Sequence, residues 1–598
     1  MTEKSTKTEI LIKKILSLIG FFDLDPNRVL DIVLTAFEND YRNLNYIQII
    51  KIFPQHSFPH ILGFKFQNQF STEMNTDISQ LYNEPSCNGE INNYKLFLVT
   101  AQLIKHGFLI LEDILPHLST DEKMEEFYLD KINLSVSIYK YYTQMRLNKD
   151  VIITEVKAKE KEKEDLNELK KQDLKNQKFI LLSALIRVNS FYHCEILYNL
   201  YSNFYDPLAH PFLTKALCDI CHWIIEPAFR AISYNKSFNN YKSNENEEND
   251  FYCSTSNGLN QINDPKLIIS ELNKIFKLLS VGLSADIVLF TKICRLIKFH
   301  SKALLSDEAN IELLSETIMK IFLPSLSLIE DCPPGLVNDL WLLLSEFDYC
   351  KRYYFYNYWM NYAYRLHPRL YVQHSIVTKE TNKWLKTLEK ETYRQNGRKL
   401  GVLTNSNPCI VFDIAIRIVL SYDNQIPIFI STLSYCSNLS YDVISFVLLK
   451  LLSDPSREKL DINNADISYF LINIANFVGL FYKKQHLVEF SGLIYFLANK
   501  LRNNSTIELL VFKELISKMS GWPTLEDLNE NQLNSFAGGV NLIYEAMNIS
   551  SEIKNLKKSN QSLLNFFFKV SNIAQKNLFS SEHSLTNGNL SINLIHFR

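Results

Sequence analysis

Asp25-Pro26-Asn27-Arg28-Val29-Leu30-Asp31-Ile32-Val33-Leu34-Thr35-Ala36-Phe37 carries the pattern that decides the fold. Val29, Ile32, Val33, Ala36 and Phe37 recur at the spacing of one helical face. Asp25 offers an acceptor to the free amides of a first helical turn, and Pro26 fits the first helical position, where no amide is needed. The same rhythm runs just upstream in Ile12, Ile15, Leu16 and Ile19. Lys13 and Lys14 ahead of the apolar run resemble a leader, but the run ends in Asp23-Leu24-Asp25-Pro26 and not in small residues, so a first packed helix is expected. Ile311, Leu314, Ile318 and Phe322 form another stripe, which Pro324 is expected to stop. Ile444, Val447, Leu448, Leu451 and Leu452 form a third, closed by Asp454-Pro455.

Composition agrees with helices from end to end. The 598 residues include only 15 Gly and 17 Pro, which is 32 of 598. That share of about 5% compares with a usual share of about 12%. Hairpins and phosphate-cradling loops consume glycine, so parallel-sheet enzymes and β-sandwiches are disfavoured. The four Asn-Gly pairs, at Asn88, Asn257, Asn396 and Asn587, lack flanking apolar alternation and do not read as hairpins. Lys+Arg is 63 and Asp+Glu is 65, a formal net charge of −2. Such a balance disfavours a surface that coats nucleic acid over its whole extent. No run reaches the roughly 18 consecutive apolar residues of a membrane span. The 10 cysteines are scattered, as in a reducing compartment, and do not form a disulfide framework.

Two segments break the pattern. Glu155–Lys175 carries seven acidic and seven basic residues and almost nothing to bury, so it is expected as a linker or a solvated helix. Ser233–Asp264 is rich in Asn, Ser and Glu and is expected as a flexible insert. The expected organisation is helical regions at 1–150, 177–232 and 265–399, separated by 151–176 and 233–264. A helical domain at 400–550 and a divergent segment at 551–598 follow. No repeat of fixed period emerges, which leaves room for an irregular α-solenoid of stacked helix pairs.

Chemistry-bearing motifs are few. The phosphate-loop, dinucleotide, nucleophile-elbow and zinc-protease strings are absent from the sequence. Cys218-Asp219-Ile220-Cys221-His222 has the C-x-x-C-H form that attaches c-type haem. It also lies on a helical face with Leu213, Ala216, Leu217, Ile220 and Ile224, where a reduced cysteine is an ordinary apolar residue. Zinc held by Cys218, Cys221, His222 or the His193-Cys194 pair matches no recognised finger spacing. The core reading is favoured, with no metal and no cofactor. Lys351–Trp359 is rich in Tyr and carries Arg352, Tyr356 and Trp359, candidates for stacking on single-stranded RNA. The competing and favoured reading is an aromatic helix packed between neighbours, with Arg352 snorkelling. Lys554, Lys557 and Lys558 form a small basic cluster that reads as a solvated face.

A resemblance carries the reading further. Phe22–Asp31 is similar to a signature stretch of the THO complex subunit 2 family. His60–Phe66, Asn176-Gln177-Lys178, Ile225-Glu226-Pro227 and Leu323–Leu328 follow in the family's order. Arg352-Tyr353, Tyr356, Trp359, His367-Pro368, Gly397-Arg398 and Ser406-Asn407-Pro408 come next. Phe412-Asp413, Tyr422-Asp423-Asn424, Leu439–Val443 and Gly538-Gly539 complete the series. The resemblance implies a nuclear, non-enzymatic helical scaffold, with neither a small-molecule substrate nor a membrane. Its partners would be other THO subunits and the DEAD-box RNA helicase of mRNA export, with mRNA engaged indirectly or weakly. The alternative is a helical-repeat protein that binds single-stranded RNA directly. The region from about residue 400 resembles the helical middle domain of the large translation-initiation scaffold and would dock the helicase. Family members are longer and carry a charged C-terminal tail. The chain is therefore expected to be a fragment, a short form or an incomplete gene product, and tail-mediated RNA binding is not carried over.

Overall fold

The computed structural model describes residues 2–43, 45–71, 92–119, 121–143, 176–208, 210–233, 258–262, 264–454, 468–485, 488–503 and 507–520. Among these residues every regular element is helical. Several expectations lie outside the described residues: the charged run Glu155–Lys175, most of the Asn/Ser/Glu-rich insert, Gly538-Gly539, the lysines at 554, 557 and 558, and the whole of 551–598. The chain divides into two compact units, Met1–Ser325 and Leu326–Arg598.

In the first unit the helices are α1 (Thr2–Phe22), α2 (Pro26–Asn39), α3 (Asn45–Ile50), α4 (Phe58–Ser71), α5 (Asn92–Lys105) and α6 (Asp121–Thr143). They continue with α7 (Gln177–Arg187), α8 (Phe191–Tyr201), α9 (Pro211–Ser233), α10 (Ile268–Leu279), α11 (Ile287–Phe299) and α12 (Glu308–Thr317). Helix α5 packs on α2 and α7, α7 on α9, α9 on α11, and α10 on α12. The Asp25 cap forms as expected, its carboxylate accepting the Asn27 amide at 2.9 Å. The face of α2 is turned from the expected one. Leu30, Val33, Leu34 and Phe37 are buried, while Ile32 stays 68% exposed. The apolar residues of this helix cover a little more than half its circumference, with Ile32 at one edge of the arc, and the contacts with α3 and α5 select the part that is buried. In α1, Ile12, Ile15 and Ile19 are half-buried and Leu16 is exposed, so the expected packing is only partial.

Two prolines act differently from the stops that sequence rules suggest. In the expected stripe Leu314, Ile318 and Phe322 are buried and Ile311 is half-buried, but the helix does not end at Pro324. The chain widens into a π-turn over Ile318–Phe322 and continues as α13 (Leu323–Leu328). A wider turn relieves the clash of the proline ring with the carbonyl four residues back, so the helix passes through Pro324. Pro227 sits inside α9, where it removes the donor that would bond the Trp223 carbonyl. That carbonyl instead accepts the Gln261 side-chain amide at 3.4 Å, and the next one, of Ile224, accepts the Ile262 backbone amide at 3.2 Å. Asn189, with φ of 59°, clamps the same returning strand by exchanging two bonds with the Leu259 backbone. Leu259 and Ile262 are buried, so the last part of the expected insert is packed structure anchored on α7 and α9.

The second unit continues with α14 (Pro334–Leu344), α15 (Tyr349–Asn361), α16 (Pro368–Leu385), α17 (Tyr393–Ser406) and α18 (Pro408–Val419). Its last described helices are α19 (Ile426–Thr432), α20 (Asn438–Ser453), α21 (Tyr469–Lys484), α22 (Ser491–Arg502) and α23 (Leu509–Ser520). Here the packing is regular. Helix α16 packs on α18, α17 on α19, α18 on α20, α19 on α21, α20 on α22, and α21 on α23. The α20 stripe is buried at all five expected positions, and the helix ends at Ser453. The expected boundary at 399/400 is not a gap in packing, because α15 lies against α18, α20 and α22.

Candidate functional site

Helix α15 holds the candidate RNA-stacking residues. Arg352, Tyr356 and Trp359 lie four and three residues apart and therefore share one face. Asp348 caps the helix, its side chain accepting the Cys350 amide. The shared face points into the core, where Tyr356 and Trp359 are 0% exposed. Both rings are buried, in the packed arrangement favoured from the sequence over the stacking alternative, and Arg352, expected to snorkel, is buried with them.

The buried face carries two polar networks. In the first, Arg352 Nε donates to Asp442 Oδ2 at 2.9 Å and Nη2 to Oδ1 at 3.3 Å, a two-pronged pair. Arg352 Nη1 also donates to the Phe347 carbonyl at 2.8 Å, and Nη2 to Glu489 Oε2 at 2.7 Å. The Tyr356 hydroxyl donates to Asp442 Oδ2 at 2.8 Å. The guanidinium lies 5.6 Å from the centre of the Trp341 ring, within cation–π range. Burial works against the Arg352 charge, but Asp442 and Glu489 outweigh it and hold the group charged. Burial likewise pushes the Asp442 carboxyl above the usual carboxylate range, while Arg352 and the Tyr356 hydroxyl pull it back. All three guanidinium nitrogens donate to acceptors of the protein, four bonds in all, which is the condition for keeping such a charge buried.

The second network lies two turns further along α15. Trp359 Nε1 donates to Ser327 Oγ at 2.7 Å. The Tyr364 hydroxyl stands 3.3 Å from the same oxygen and donates to Asn407 Oδ1 at 2.8 Å. Asn407 Nδ2 in turn donates to the Ser327 carbonyl at 3.2 Å. Burial raises the Tyr356 and Tyr364 hydroxyls above the ordinary tyrosine range, so both stay protonated donors. The first network ties together segments up to 137 residues apart and the second up to 80. Sequence reasoning did not pair Ser327, Asn407 or Asp442 with α15, since nothing local signals such a contact. All three nonetheless sit in the stretches that carry the family resemblance.

The C-x-x-C-H string lies within α9. Cys218 and Cys221 are buried among the expected apolar face, and burial drives both thiols up from their ordinary range. They are thus protonated, apolar side chains and poor metal ligands as they stand. His222 turns away from them: its Nε2 lies 2.9 Å from Asp286 Oδ2, and Lys292 Nζ lies 3.5 Å from its Nδ1. Asp286 also caps α11 through the Leu289 amide at 2.9 Å, so His222 joins α9 to the start of α11. His193 bonds Ser190 at 2.9 Å, and Cys194 is buried. Among the described residues, no group of three His, Cys, Asp or Glu is placed to hold a metal ion.

Comparison with known proteins places these features in a family. The family model described as THO complex subunit 2 N-terminus matches residues 1–134 and 226–398. The model described as transcription- and export-related complex subunit matches residues 400–475. THO complex subunit 2 of Mus musculus is 30% identical over 582 residues, covering 93% of this chain and 34% of its own length. THO complex subunit 2 of Arabidopsis thaliana is 29% identical over 583 residues, covering 91% of this chain and 31% of its own length. For Saccharomyces cerevisiae the match is 24% over 251 residues, 42% of this chain and 16% of the relative. The chain thus spans about a third of the length of the mouse and plant proteins it matches. With the N-terminal model alone covering half of the chain, this protein belongs to the THO complex subunit 2 family.

Proposed function

We propose that the chain serves as a non-enzymatic scaffold within the THO complex, in the nucleus, and helps couple transcription to mRNA processing and export. The observation that carries this reading is the next-but-one helix packing from α16 to α23. Stacking of each helix on the next but one is what a two-layered, irregular α-solenoid produces, and such an array offers long surfaces to partner proteins. The polar groups most suggestive of chemistry point inward and hold helices together. Partners are therefore met on the outer surface, and they comprise other THO subunits and the DEAD-box RNA helicase of mRNA export. The helicase docks on the region 400–550, a middle-type helical domain, and supplies the ATPase chemistry that the scaffold orients. This helicase assignment rests on fold-level analogy.

Affinity purification of the tagged chain from nuclear extract tests the reading. Recovery with the other THO subunits and the helicase is the expected result. Recovery only with ribosomes or proteasomes overturns it.

A further inference from the structure

The outward face of α15 differs from its buried one in a way that suits a different ligand. Lys351, Tyr354, Tyr358, Tyr362 and Arg365 follow one another at three- and four-residue steps, so they form a single ridge along α15 and the turn after it. Tyr354 and Tyr362 are 59% and 56% exposed, and Tyr358 is half-buried between them. The Tyr358 and Tyr362 rings are already stacked, with centres 5.7 Å apart. Lys351 and Arg365 are exposed at the two ends, and among the described residues neither is ion-paired. From Tyr349 to Lys379 the sequence contains no Asp or Glu. Arg352, the other cation of this helix, is neutralised internally by Asp442 and Glu489. The ridge therefore presents aromatic rings bracketed by cations without a carboxylate on its own helix.

We propose that this ridge binds single-stranded RNA, with bases stacking on Tyr354 and on the outer faces of the Tyr358–Tyr362 pair, and phosphates meeting Lys351 and Arg365. Exposed ring faces beside cations are what a single strand needs, and stacking on aromatic platforms tolerates any base sequence. A protein partner of acidic character is the competing occupant. It would use the cations but would not need three successive ring faces. The choice of RNA over DNA rests on the proposed place of the chain in the THO complex; the ridge itself does not depend on it.

The test is fluorescence anisotropy of a labelled 15-nucleotide oligo(U) with the full 598-residue chain at low salt. Expected is a dissociation constant of about 10–100 micromolar, with a log–log salt slope of about −1 to −2, as two phosphate contacts require. Replacing Tyr354, Tyr358 and Tyr362 together by Ala weakens binding by about tenfold or more, while replacing them together by Phe preserves it. An RNA duplex of equal length binds at least about tenfold more weakly, because its bases are already stacked. The thermal unfolding of each variant, matched to the parent chain, separates lost binding from lost folding. Lack of binding by the parent chain, equal binding by the Ala variant, or tighter binding of a 15-nucleotide oligo(dT) measured in the same way overturns the inference. Recovery of THO subunits by the same Ala variant keeps the scaffold reading standing whichever way the RNA result falls.

Discussion

Asp442 is where one residue determines most. It receives two bonds from Arg352 and one from Tyr356, and all three groups are buried. Removing one member of a buried charge pair leaves the other desolvated and unpaired, at a cost of about 3–5 kcal/mol. Asp442→Ala is therefore expected to lower the denaturation midpoint sharply, whereas Glu489→Gln, at a partly exposed partner, changes it by about 1 kcal/mol or less. The paired change Arg352→Met with Asp442→Leu should recover much of the loss. If Asp442→Ala unfolds at the same denaturant concentration as the parent chain, the network does not hold these helices. A second expectation concerns histidines. Burial lowers the pKa values of His106, His193, His300 and His374, so the fold prefers them neutral. The unfolded chain binds the proton at about pH 6.5. Their contribution is fully present above that pH and is lost as pH falls towards the lowered folded values. Melting temperature should thus drop between pH 7.5 and 5.5, and His374→Phe, beside the Tyr364 ring, should flatten the decline. At this scale the sequence showed the Asp25 cap and the shared spacing of Arg352, Tyr356 and Trp359. It could not show which side of α15 faces inward, because tyrosines occupy both sides.

At the scale of elements, close approach decides which helices touch. In α17, Gly397 and Gly401 are four residues apart and lie against the turn Leu433–Tyr435 that follows α19. A Cβ on Gly401 would sit 2.8 Å from the Tyr435 carbonyl oxygen, a backbone atom with little freedom to retreat. A Cβ on Gly335 of α14 would meet nothing within 4 Å. The two Gly→Ala changes should therefore have opposite signs. Gly401→Ala is expected to destabilise by about 1–3 kcal/mol through overpacking, despite the better helix propensity of Ala. Gly335→Ala is expected to stabilise by up to about 1 kcal/mol. Thermal melts of both variants check this, and equal shifts would show that the Gly401 contact is easily relieved. Helix existence was legible from periodicity, because the apolar stripes of α9 and α20 are buried as spaced and the one that begins in α12 is buried apart from half-buried Ile311. The behaviour of prolines was not. Pro324 is bridged by a wider turn, and the carbonyls near Pro227 are taken by residues from the last part of the expected insert. The second outcome depends on groups more than thirty residues away, which local rules cannot include.

At the scale of the whole molecule, composition anticipated a helical chain, but the placement of boundaries was less visible. The scarcity of Gly and Pro reports on turns, and helix-to-helix turns look alike whether or not they separate compact units. The expected division at 399/400 falls inside one unit, and the two buried networks explain why. Arg352 and Tyr356 precede it and their partners Asp442 and Glu489 follow it, while Trp359 bonds Ser327, whose carbonyl accepts from Asn407 beyond the division. A piece beginning at residue 400 would keep Asp442 but lose the guanidinium and hydroxyl that bond it. It would also uncover the faces of α18, α20 and α22 that α15 covers. Burying an unpaired carboxylate is costly, so this piece should relax locally around α20 even where its helices persist. Hydrogen exchange offers a direct measure. Amides of Val443–Leu452 should exchange at least about tenfold faster in a 400–598 fragment than in the full chain, since a lost buried pair exceeds the 1.4 kcal/mol that a tenfold change represents. Amides of α23, which packs on α21 away from α15, should change less. Equal protection of Val443–Leu452 in both proteins would mean that the helices after residue 400 fold independently, and that the networks join two self-sufficient domains instead of completing one.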